Sequence, residues 1–108
     1  MDNPAIFKVA LRKRGRFQRL LKGRPQTSGM KSGQVRLSPG EEIGGHDTGR
    51  REEILIILEG TASVFCLDGR CRLQVTAPGV AYIPARTFHN VRNRGKSLLR
   101  YVYVVSPV

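Results

Sequence analysis

The chain has 108 residues, 40% of them apolar, which suits one domain built on one core. No apolar run approaches the ~18 residues of a membrane span. Two cysteines are too few for a disulfide framework or a Cys-rich zinc site, and a net charge of +11 marks the chain as strongly basic.

The opening stretch, MDNPAIFKVALRKRG, lacks a signal-peptide layout. Lys8 interrupts its apolar part, and the basic residues follow it rather than precede it. A cytoplasmic location is the expectation. Residues 1–39 carry ten basic residues against one acid, so +9 of the charge lies in this part of the chain. A basic arm attracts nucleic acid or acidic lipid. Here no nucleic-acid fold motif accompanies it, and only Phe7 and Phe17 offer stacking faces, so a solvated basic surface is the expected reading. FKVAL, residues 7–11, has the composition of a short strand. RFQRLLK sets Phe17, Leu20 and Leu21 at i, i+3 and i+4, which predicts one or two helical turns ended by Gly23 and Pro25. Residues 1–29 thus read as a basic N-terminal segment, and residues 30–108 as the folded domain.

From Met30 onward the pattern is of short strands separated by Gly and Pro. GQVRL alternates and stops at SPGEE. EEILIILEG is a strand bounded by Gly60. TASVFCL and RCRLQVT flank Asp68-Gly69, the signature of a two-residue hairpin turn. That turn makes Cys66 and Cys71 cross-strand neighbours, with Cα atoms ~4.5–5.5 Å apart and close enough for a disulfide. In a reducing compartment they would remain two thiols. VAYIP, FHNVRN and SLLRYVYVV complete the series. On the last of these Tyr101, Tyr103 and Val105 share one face and Arg100 lies on the other, which turns the tyrosines inward. Short strands at regular spacing predict an all-β antiparallel sandwich or barrel.

Two spaced groups, Gly40, His46, Glu53 and Gly60, then Gly79, Pro84, His89 and Asn93, make residues 38–105 resemble the cupin family. Its first motif runs Gly, five residues, His-x-His, three or four residues, Glu, six residues, Gly. Here Gly40, His46, Glu53 and Gly60 fall in those places, with Thr48 at the second His position. The second motif runs Gly, five residues, Pro-x-Gly, two residues, His, three residues, Asn. Gly79 is followed by four residues and Pro84, Arg86 stands for the Gly, and His89 and Asn93 fit. The resemblance implies a double-stranded β-helix, or jelly-roll barrel. It also implies a divalent metal in the barrel mouth held by His46, Glu53 and His89. Two His and one carboxylate suit Fe, Zn, Mn or Ni. Thr48 is a poor ligand; it leaves a position for water or substrate, or orients a bound water. The spacing to Gly60 selects Glu53 over Glu52, which then lies on the surface, where an arginine is a suitable partner. Tyr101 and Tyr103 line the cavity or fill the core. Arg86 either holds an anionic group near the mouth or is a surface arginine. The implied function is a metal-dependent cupin acting on a small polar molecule by dioxygenase, isomerase or lyase chemistry. The alternatives are a metal-free ligand-binding or sensing cupin and, less expected, a nucleic-acid-associated barrel. Small cupins commonly dimerise, and the apolar part of residues 1–37 is the expected dimer contact.

Overall fold

The structure, a computed structural model, describes residues 5–108; the first four positions of the basic N-terminal segment lie outside the described residues. Among the described residues, nine strands form two antiparallel sheets. They are β1 (Phe17–Lys22), β2 (Lys31–Leu37), β3 (His46–Asp47), β4 (Arg51–Glu59), β5 (Thr61–Cys66), β6 (Cys71–Thr76), β7 (Gly79–Ile83), β8 (Phe88–Arg92) and β9 (Leu99–Pro107). One sheet has the order β1-β2-β9-β4-β7 and the other β3-β8-β5-β6.

Alternation decides which side chains meet between the sheets. On β4, Glu53, Leu55 and Ile57 are buried while Ile54, Ile56 and Leu58 are half-exposed. Across the first sheet Val35 pairs with Tyr101, and Tyr101 with Ile57. The opposite wall supplies Ala62, Val64 and Val91. Two motif residues shape the ends of this core. Gly60 has φ +76°, and a Cβ there would collide with the Leu98 carbonyl oxygen. Asn93 is buried, and its side chain binds the backbone of Leu37, Gly95 and Ser97.

Three local expectations are corrected. Residues 17–22 form a strand, not helical turns. β1 pairs with β2, and a bulge between Arg19 and Leu21 shifts its register. That extra residue breaks the alternation, so apolar positions spaced three and four apart imitate a helix. The open edge of β2 supplied the partner that local periodicity did not show, and β1 joins the same sheet as the strands beyond residue 30. Residues 7–11 form no strand. Ile6 and Phe7 are exposed, and the arm is anchored only further along. There the buried Gln18 donates to the Ala10 carbonyl (3.0 Å) and accepts from the Arg12 N–H (2.8 Å). Gln34 also donates to the Arg12 carbonyl, at 3.0 Å.

The hairpin is the third correction. Cys66 N–H donates to the Arg70 carbonyl and Gly69 N–H to the Cys66 carbonyl, so the loop has three residues and Gly69 takes φ +78°. Cys71 therefore faces Phe65, not Cys66. The cysteines lie on opposite faces of the hairpin and are both free thiols. A second irregularity, between Val64 and Phe65, restores the expected pairing of Val64 with Leu73 and Ala62 with Val75.

Candidate metal centre

His46, Glu53 and His89 come from three strands, β3, β4 and β8. β3 pairs with β8 so that His46 stands opposite His89, with ring centroids 4.3 Å apart. Glu53 approaches from the facing sheet. The chain reverses between β3 and β4 at Gly49, φ +61°, where the Asp47 carboxylate accepts the Gly49 N–H at 2.7 Å. The turn is then tied to the loop before β8. Thr48 Oγ1 donates to the Pro84 carbonyl (2.7 Å) and accepts from the Thr87 N–H (3.0 Å). Arg86 N–H donates to the Gly49 carbonyl at 2.8 Å. These bonds put Glu53 and His89, from distant parts of the chain, at one end of the interior.

One potential ligand atom from each of the three residues lies within 4.8 Å of the others. His89 Nε2 and Glu53 Oε1 are 3.1 Å apart. Both side chains are almost fully buried, and no well-aligned hydrogen bond joins His89 Nε2 to the carboxylate. Neighbouring ligands of one ion at about 2.1 Å stand roughly 3.0–3.4 Å apart, so the 3.1 Å separation fits a shared ion. The other ring nitrogens are occupied. His89 Nδ1 lies 3.2 Å from the Thr87 carbonyl and His46 Nδ1 lies 3.2 Å from the Gly44 carbonyl. A carbonyl only accepts, so each Nδ1 carries the proton and each Nε2 presents its lone pair. His46 is exposed and closes the site from the solvent side.

The group faces a cavity of about 330 Å³. Ile43, Val91 and Val105 supply apolar wall, and Phe17 stacks on Tyr103 at 6.3 Å between centroids. Tyr101 and Tyr103 line the cavity as well. Burial pushes both phenols up, and the Glu53 charge adds to this; for Tyr103, Arg19 opposes it. Burial alone would lower the His89 pKa. The Glu53 carboxylate, the Thr87 carbonyl and the Asp47 charge outweigh it, and the net direction is up.

Other expected site residues fare differently. Thr48 lines the cavity, but its hydroxyl proton is committed to the Pro84 carbonyl. Arg86 is exposed and does not line the cavity. It occupies the motif's Gly position with φ 54°, a left-handed conformation that glycine adopts without strain. Glu52 is on the outer face, where it accepts from the Tyr82 hydroxyl at 2.9 Å rather than from an arginine. Arg51 and Asp47 line the cavity and were not anticipated. Arg51 was legible: it stands two residues before Glu53 on one strand and so shares its face. Asp47 was not, because a two-residue strand shows no alternation.

The cupin domain family model matches residues 33–105. Among curated proteins, none matches this chain in sequence. Among solved structures, a cupin domain from Schizosaccharomyces pombe superposes with TM-score 0.73 at 22% identity, over 85% of this chain and 64% of that one. A predicted oxalate decarboxylase from Thermotoga maritima gives TM-score 0.75 at 22% identity, over 85% of this chain and 79% of that one. A Cupin 2 conserved barrel domain protein from Salinispora arenicola gives 0.68 at 27% identity, over 82% and 72%. With the two facing sheets and a family match that spans most of the strands, this chain belongs to the cupin family as a double-stranded β-helix.

Proposed function

We propose that this cupin holds one divalent metal ion through His46, Glu53 and His89 and acts on a small polar molecule in the adjoining cavity. The observation that carries this reading is the convergence of ligand atoms from His46, Glu53 and His89 within 4.8 Å of one another, with the buried His89 Nε2 3.1 Å from the Glu53 carboxylate. Zn, Fe, Mn and Ni all accept two imidazoles and a carboxylate. Once bound, the ion would supply Lewis-acid polarisation or oxygen activation, the chemistry of dioxygenases, isomerases and lyases.

The chain's own residues define the rest. Thr48 holds the β3–β4 turn so that His46 and Glu53 keep their orientation. The apolar walls exclude water from one side of a ligand. The Tyr101 and Tyr103 phenols remain protonated donors, since burial holds their pKa values up. Arg51 sets a positive charge at the mouth, which suits a carboxylate compound. Among the described residues no helix is long and apolar enough to cross a membrane, and the separated thiols suit a reducing compartment such as the cytoplasm.

Elemental analysis of protein purified without a nickel column, before and after loading with each of the four ions, tests the proposal. About one ion per chain is expected. Failure to retain any of them would instead favour a metal-free ligand-binding cupin.

A homodimer is also proposed, on the outer face of the β9–β4–β7 part of the sheet. Ile54, Ile56, Val102 and Val104 are half-exposed there, and Val80 is 63% exposed. Such a contiguous apolar face is the kind of surface a partner covers. The exposed Ile6, Phe7 and Val9 of the arm are suited to contribute from the second copy. Sedimentation velocity should show a dimer that Val80→Lys dissociates; a monomer at every concentration would rule it out.

A further inference from the structure

Beside the cavity mouth lies a second recess of about 330 Å³, lined by Lys22, Arg24, Gly29, Lys31, Arg51 and Pro107. Four of these six residues are cations. Lys22 and Lys31 are direct cross-strand partners on β1 and β2. Like charges directly opposite one another destabilise a sheet. Among the described residues no carboxylate forms an ion pair with any of the four. Most cations of this basic chain lack an acid partner among the described residues, but here four of them are gathered around one recess. The directly opposed Lys22–Lys31 pair is a departure from local consistency of the kind found at functional sites.

The register places the recess on the same side of the sheet as the candidate metal centre. Lys31 pairs with Val105, and Val105 pairs with Glu53. Cross-strand partners share a face, so Lys22, Lys31, Val105 and Glu53 form one row looking toward the interior. Lys31 and Glu53 are two strand spacings apart, roughly 10 Å. Arg51 lines both the recess and the cavity, so the two spaces are neighbours that share this side chain as a wall.

We propose that the recess binds a compact polyanion, the phosphate or clustered carboxylates of a small molecule whose remainder reaches into the cavity past Arg51. Lysine ammoniums supply point charges, and the arginine guanidiniums can grip two oxygens at once. Gly29 lets Pro107 pack closely in the recess wall: a Cβ at this position would stand 2.8 Å from the Pro107 ring. The anion site does not depend on the metal reading, since none of its four cations is a candidate ligand.

Calorimetric titration of the metal-free full chain at low salt tests this, with inorganic pyrophosphate and citrate as separate probes. One-to-one binding of either is expected, and the tighter one identifies the phosphate or carboxylate chemistry. Lys31→Glu should weaken binding by about tenfold or more. Its thermal midpoint should hold or rise, because the Lys22 pair becomes attractive. Lys22→Glu, at an exposed position, should act in the same way and serves if Lys31→Glu does not fold. Arg70→Glu, the same charge change at the distant hairpin tip, should leave affinity within about twofold, because exposed charges beyond a Debye length are screened. His89→Ala should retain the anion even where it loses the metal, which separates the two proposals. Absence of saturable binding by both probes would overturn the site. So would an equal loss in Arg70→Glu, or a short DNA duplex that binds more tightly than either probe and is equally weakened by Lys31→Glu.

Discussion

Replacing His89 with alanine is expected to abolish stoichiometric metal binding, a loss of at least about a hundredfold in affinity from removal of one of three protein ligands. Thr48→Ala should keep most of the binding. Its hydroxyl is spent on the Pro84 carbonyl and the Thr87 N–H, so its loss loosens the turn that carries His46 without removing a donor from the ion. Titration of each variant with zinc, followed by competition with a chelator, separates these outcomes. Equal loss in both variants would overturn the assignment of Thr48 to a dispensable supporting role.

The pH dependence of that binding has a definite sign. The His89 pKa is raised above 6.5 in the metal-free protein, so protons compete with the ion more strongly than at an ordinary imidazole. Zinc affinity should therefore fall as pH falls through the raised value. Metal-free stability should run the other way. The contribution of protonated His89 beside Glu53 is fully present below the unfolded pKa of about 6.5 and is lost as pH rises through the folded one. Chemical denaturation of metal-free and zinc-loaded protein across this range should give slopes of opposite sign.

Asn93→Ala should cost about 3 kcal/mol and lower the thermal midpoint by roughly 12–20 °C. The Asn93 side chain donates to the Leu37 carbonyl at 2.7 Å and to the Ser97 carbonyl at 2.9 Å, and it accepts from the Gly95 N–H at 3.0 Å. It is 1% exposed, so alanine would leave backbone groups unpaired where little water reaches. Aspartate should not rescue the loss, because it keeps an acceptor for Gly95 but turns negative oxygens toward two carbonyls. A midpoint within a few degrees of the parent in Asn93→Ala would show that these bonds are replaced by solvent.

The strands of the barrel were readable in the sequence because each carries its own evidence. Glu53, Leu55 and Ile57 alternate with Ile54, Ile56 and Leu58, and Gly60 ends their strand. Period-two burial is a local property of a strand with one face in a core. The inward turn of Tyr101 and Tyr103 followed from the same rule, as did Glu52 on the outside. His46, Glu53 and His89 stood out through spacing that resembles two motifs of one family. Their approach to one another depends on β3–β8 pairing and the stitched β3–β4 turn.

Other features depended on contacts that no single segment contains. Phe17–Lys22 is a strand because β2 offers it an edge and a bulge absorbs its irregular spacing; alone, it has the periodicity of a helix. Cys66 and Cys71 parted because Gly69 adopts a left-handed conformation, lengthening the turn by one residue and changing which side chains oppose each other. Thr48 became a clasp when the Pro84–Thr87 loop came within hydrogen-bond distance. The four cations beside the mouth are scattered from residue 22 to residue 51 and read along the chain as ordinary solvated charge. Pairing of β1 with β2, and of β2 and β4 with β9, brings them around one recess. The sequence thus determined the alternation that makes strands and the residue types able to bind a metal. Only tertiary structure decided turn length, edge pairing and the meeting of charges, because each depends on the free energy of contact between segments far apart in the chain.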